Sequence, residues 1–102
     1  MPNEIRQFMV DFRMPPVQNE RFTSRIPDQR ALVNQYFMDG KLATYGVSLE
    51  YARVWAVFNA DSETEVLAWV RAMPLTRYMQ FDIMPLTFYN VAGASVPDFS
   101  VN

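Results

Sequence analysis

Four stretches of alternating apolar and polar residues and two helical stripes, in the order β-α-β-β-α-β, predict an α+β fold. The expected architecture is a four-stranded antiparallel sheet with two helices on one face. Three observations carry this. Near the start of the chain Phe8, Val10 and Phe12 alternate with Gln7, Met9, Asp11 and Arg13. Leu32, Val33, Tyr36 and Phe37 recur at helical spacing. The stretch from Met73 to Leu86 passes from a helix-ending proline into a strand. There Met79, Phe81 and Ile83 point one way and Tyr78, Gln80, Asp82 and Met84 the other.

Taken in order, the first strand covers Ile5 to Met14 and is closed by Pro15-Pro16. Val17 to Ile26 is polar and mixed, and reads as a loop or a short helical turn. Pro27 suits the first position of a helix, with Asp28 in its first turn. Asp39-Gly40 stops that helix, with Gly40 as a left-handed cap. Lys41 to Leu49 is the second strand, with a turn around Ser48 to Tyr51. Ala52 to Asn59, rich in Val, Trp and Phe, is the third.

Ser62-Glu63-Thr64-Glu65 is a capping box, in which the serine hydroxyl serves the amide of Glu65 and the Glu65 carboxylate reaches back. Val66, Leu67, Val70 and Met73 form the buried stripe of the second helix, which Pro74 closes. The fourth strand runs from Tyr78 to about Tyr89. Residues 91–102 read as an extended tail, leaving residues 1–90 as a single domain. The order is the ferredoxin-like arrangement. Its uncovered sheet face would present Met9, Trp55, Tyr78 and Met84 to water, a patch too apolar to leave wet. Two such sheets are therefore expected to dimerise face to face into an α+β barrel.

Composition narrows the function classes. Half of the 102 residues are hydrophobic and 15% aromatic, so the chain has the material for one core. Seven Met and eight Phe exceed what so small a core needs, which favours a homo-oligomer or a lined pocket. The net charge is −2, and the eight Arg and one Lys form no run along the sequence, so no nucleic-acid partner is expected. No stretch is apolar enough for a membrane span or a signal region. Without cysteine there is no disulfide framework. A cytoplasmic location is expected.

With neither His nor Cys, the usual zinc, iron and copper sites are missing, and no metal or cofactor is expected. Serine has no histidine to activate it, so a Ser-His-Asp hydrolase is excluded. The three glycines are well separated and make no phosphate-cradling loop.

From Gly40 to Leu86 the chain resembles muconolactone isomerase and its relatives in the dimeric α+β barrel superfamily. Asp39-Gly40-Lys41-Leu42, Tyr51-Ala52, Val57-Phe58-Asn59-Ala60-Asp61-Ser62, Met73-Pro74-Leu75 and Tyr78-Met79 carry the likeness. The family pattern has a Gly after the helix and a Val-Phe-Asp strand end with Ser opening the next helix. Leu-Pro-Leu and Tyr-Met follow, before an acidic strand. The chain departs from it where the family has Leu-Trp-Arg on the second strand, the register here being Tyr45-Gly46-Val47. Where the family has an acidic pair on the last strand, this chain has Gln80 and Asp82, so one carboxylate survives.

The resemblance implies a cofactor-free enzyme that moves a proton on a small carboxylated or ring-derived catabolic intermediate. A carboxylate in a dry pocket can take a proton from one carbon and return it to another. Asp82 and Asp11, on neighbouring strands, are the candidates; the competing reading is that they pair with Arg13 and Arg53 and stitch the sheet-to-sheet interface. Arg53 is the candidate anchor for a substrate carboxylate, in place of the missing family Arg. Trp55, Tyr45 and Tyr36 are candidates to line a pocket for a small ring, although aromatics at such spacing also serve as plain core. The alternatives are a non-catalytic oligomeric module binding a small ligand, and a cofactor-free oxygenase of the same fold.

Overall fold

The computed structural model describes residues 6–90; the expected tail at 91–102 and the start of the first strand at Ile5 lie outside them. The elements are β1 (Arg6–Arg13), α1 (Glu20–Ser24), α2 (Ile26–Met38), β2 (Leu42–Ser48), β3 (Arg53–Ala60), α3 (Glu63–Ala72), a 3₁₀ turn (Thr76–Tyr78) and β4 (Gln80–Pro85). The sheet order is β2-β3-β1-β4 with every neighbouring pair antiparallel. This is the ferredoxin-like topology.

One face of the sheet is the core. Phe8, Val10 and Phe12 of β1 meet Val54, Ala56 and Phe58 of β3 in register, and Val33, Tyr36, Val66, Val70 and Met73 close over them from the helices. All are nearly or fully buried. On β4, Phe81 and Ile83 pack on the edge of the same cluster, as the alternation predicts.

The local signals act where expected. Gly40 sits at φ 77°, the left-handed position that ends α2. Ser62 caps α3 by accepting a hydrogen bond from the Glu65 amide at 3.2 Å. The reciprocal arm of the capping box is displaced by one residue: Glu65 Oε1 accepts from the amide of Asp61 at 2.9 Å.

Four expectations change. The segment Val17 to Ile26 contains a true short helix, α1, because the Asn19 side chain caps it by accepting from the Phe22 amide at 3.0 Å. Phe37, expected on the buried stripe of α2, is 41% exposed. Tyr78 belongs to the 3₁₀ turn before β4 and not to the strand. Its ring sits edge-on to Phe22 with centroids 5.9 Å apart, so it does not join the open sheet face.

The fourth change is at the end of the last strand. β4 stops at Pro85 rather than near Tyr89. Leu86 donates its amide to Gln7 O on β1, and the Tyr89 hydroxyl donates to Thr44 Oγ1 on β2. The chain therefore crosses the open face at one end of the sheet. Val57, paired there with Met9 and Thr44, is buried although it points away from the helices.

Candidate active site

The remaining open face carries the unusual chemistry. Alternation along each strand puts Asp11 and Arg13 of β1, Arg53 and Trp55 of β3, and Gln80, Asp82 and Met84 of β4 on it together. Register then sets who faces whom. Arg13 lies directly opposite Arg53, Asp11 opposite Trp55 on one side, and Asp11 opposite Asp82 on the other. Like charges face like, so the ion pairs form on the diagonals.

Arg53 grips Asp11 with two hydrogen bonds, Nε to Oδ1 at 3.1 Å and Nη2 to Oδ2 at 2.9 Å. Arg13 Nη1 donates to Asp82 Oδ2 at 3.0 Å and stands 3.9 Å from Asp11 Oδ2. The four side chains make one continuous alternating cluster across three strands.

The two carboxylates are not equivalent. The fork of Arg53 holds the Asp11 carboxyl below the usual carboxylate range, against an opposing contribution from burial; the charges of Arg53 and Arg13 add to the lowering. The same bond raises the pKa of Arg53. Asp11 is thus an ionised acceptor whose two oxygens are both engaged. Asp82 uses only Oδ2, and its side chain is 65% exposed in the single chain. Among the described residues its second oxygen has no partner.

Gly46 lies opposite Trp55 on the other side of β3. A Cβ at Gly46 would meet nothing within 4 Å, so the position where the family pattern has Trp leaves room beside the indole of Trp55.

The six sequence-derived candidates divide between the two faces. Asp11, Asp82, Arg53 and Trp55 converge on the open face. Tyr36 is core: its ring packs against Phe58 and Trp69, and its hydroxyl donates to Trp69 O at 2.7 Å. Tyr45 pairs with Ala56 on the helix side of the sheet, where its hydroxyl accepts from Gln29 Nε2 at 3.2 Å. Neither tyrosine lines the site that the aspartates share.

Gln29 was missed among the candidates, though its place four residues before Val33 puts it on the buried stripe of α2. The arginines also prove more gathered than their spacing suggests. Arg25, Arg71 and Arg77 line one surface concavity near the end of α3.

Among the described residues no group of three or more His, Cys, Asp or Glu could hold a metal ion, and no helix is long and apolar enough to cross a membrane.

A family model described as muconolactone delta-isomerase matches residues 7–91. No curated protein matches the sequence. Among solved structures, a muconolactone isomerase crystal structure at 3.3 Å resolution superposes with a TM-score of 0.69 and 19% sequence identity, over 81% of this chain and 90% of that one. At this identity the likeness shows the fold. A dimeric ferredoxin-like protein from an uncultured marine organism aligns with a TM-score of 0.48 and 14% identity, over 88% of this chain and 95% of the other.

Proposed function

Because this chain belongs to the muconolactone delta-isomerase family, we propose that it is a cofactor-free isomerase moving a proton on a small carboxylated, ring-derived intermediate. The observation that carries the reading is the charge cluster on the open sheet face. It sets the Asp82 carboxylate against the Arg13 guanidinium, with Arg53 and Trp55 one strand beyond Asp11 on the same face.

In this reading Asp82 is the general acid and base, taking a proton from one carbon and delivering it to another. Arg53 and Arg13 have N–H groups not used in the cluster, and these receive the substrate carboxylate. Asp11, ionised and fully engaged, is the positioning residue that aims Arg53. Trp55 supplies the flat surface for the ring.

The site is incomplete on a single chain, because it lies on an open sheet. Trp55 and Met84 on this face are 41% and 43% exposed. A second copy packed sheet to sheet would cover them and exclude water from the cluster, so the functional unit is a homodimer or a larger homo-oligomer.

One observation favours a second reading. Both aspartates are already paired with arginine, as a stitched interface would require. A non-catalytic small-ligand module of the same fold would keep the cluster for assembly alone.

The assay that separates the two follows muconolactone by proton NMR in deuterium oxide with the purified oligomer. The isomerase reading expects double-bond migration with solvent deuterium incorporated at carbon. Asp82→Asn should lower the rate by about 10²-fold or more with the oligomer intact. A folded oligomer that neither isomerises the lactone nor exchanges its protons overturns the reading for this substrate class and leaves the binding module.

A further inference from the structure

On the helix side of the sheet, far from the charge cluster by topology, α2 and the edge strand β2 enclose a crevice of about 320 Å³ lined by Gln29, Arg30, Val33, Asn34, Phe37 and Tyr45. We propose that this crevice is a second binding site, built for a small single-ring carboxylate. The proposal does not depend on the isomerase reading.

The polarity of the crevice is set by one buried side chain. Gln29 is 5% exposed. The backbone N–H of Leu75 can only donate, and it donates to Gln29 Oε1 at 3.0 Å. That fixes which end of the amide faces Leu75, so Nε2 must turn to Tyr45, where it donates to the hydroxyl oxygen at 3.2 Å. Tyr45 is therefore the acceptor in that bond. Its own O–H has no acceptor among the described residues and is left to serve a ligand at the crevice. Burial raises the pKa of this phenol, against a smaller lowering by Gln29, so it keeps its proton near neutral pH.

The rest of the lining fits the same class of ligand. Val33 and Phe37 supply an apolar wall, which accounts for an aromatic ring left 41% exposed in the last turn of α2. Arg30 stands one residue beyond Gln29, and among the described residues no carboxylate lies within 4 Å of it. A cation without a partner, a phenolic donor and an aromatic wall in one crevice recognise an anion, an acceptor and a ring. The volume sits at the small end of ligand pockets, roughly 300–1,000 Å³, and admits one ring rather than two.

Benzoate is the probe, titrated into the intact oligomer while the side-chain amide signals of Gln29 are followed by nitrogen-15 NMR. The expected result is a saturable shift of those signals. Arg30→Gln, an exposed change, should weaken binding about tenfold through loss of a charge-assisted bond. Tyr45→Phe, which keeps the ring but removes both the hydroxyl donor and the acceptor of Gln29 Nε2, should weaken it about fivefold. Benzamide, without the charge, should bind less well than benzoate. Asp82→Asn should leave the benzoate-induced shift at Gln29 as in the parent. The proposal is overturned if benzoate produces no saturable shift at Gln29, or if Arg30→Gln and Tyr45→Phe bind it as the parent does. It is equally overturned if Asp82→Asn abolishes binding, which would place the probe on the open sheet face.

Discussion

Arg53 reaches past its direct neighbour across the sheet to hold Asp11 diagonally, with both carboxylate oxygens taken at 3.1 and 2.9 Å. The residue it faces in register is Arg13. Two guanidiniums opposed across one strand pair are tolerated because Asp11 and Asp82 stand diagonal to them. The cluster therefore acts as a unit, and removing one member exposes the repulsion between the others.

Asp11 should give the protein an acid-side dependence of stability. Its folded pKa lies below the unfolded one, so the unfolded state binds the proton more tightly. The contribution is present above the unfolded pKa and is lost as pH falls through the folded value. Asp11→Asn should lower the urea midpoint at pH 7 and flatten its acid dependence. Denaturation curves from pH 7 downward check this; parallel pH dependences in mutant and parent would remove the pair from the account.

Trp55 tests the covered face. A charge placed there by Trp55→Glu would be buried without a partner in a sheet-to-sheet dimer, at a cost on the order of several kcal/mol. Sedimentation at micromolar concentration should show dissociation or unfolding. A parent protein that sediments as a stable, folded single chain would sink the dimer.

The helix caps can be tested apart from function. Ser62→Ala removes the acceptor for the Glu65 amide and should cost about 0.5–2 kcal/mol. Any activity on the lactone should be unaffected, since the residue opens α3 and lies off the cluster. An unchanged unfolding midpoint would mean that water serves the amide equally well.

Gly40 isolates a backbone effect. A Cβ there would touch nothing within 4 Å, so Gly40→Ala costs only the left-handed conformation at φ 77°, about 1–2 kcal/mol. Gly46→Ala meets equally open space without a positive φ and should be milder. Thermal melts of the two variants side by side decide it. Equal losses would contradict the conformational origin.

The order of elements was legible in the sequence because each depends on neighbours a few residues away. Alternation in Phe8, Val10 and Phe12, the stripe through Val66 and Val70, the Ser62 cap and the Gly40 stop are all local signals, and local hydrogen bonds realise them. Even α1 was written locally, in Asn19 followed by Glu20, but its five residues are too few for periodicity to show. On β1 and β3 the alternation also set which face each residue takes, whereas the irregularity between Leu42 and Thr44 on β2 and the 3₁₀ turn at Tyr78 left no such signal.

What tertiary structure alone decided is which of these groups touch. Asp11 and Arg53 are 42 residues apart and meet through register, which a one-residue slip would have reversed. Tyr45 was a candidate either to line a pocket for a small ring or to serve as core, and the sequence did not say on which face. It turns toward Gln29, because β2 pairs Tyr45 with buried Ala56 and so sends it to the helix side. The crossing of Leu86 to Tyr89 over the sheet end likewise rests on bonds to Gln7 and Thr44, distant in sequence. Short-range propensity carries no record of such pairings; they exist only once the strands have closed around a common core.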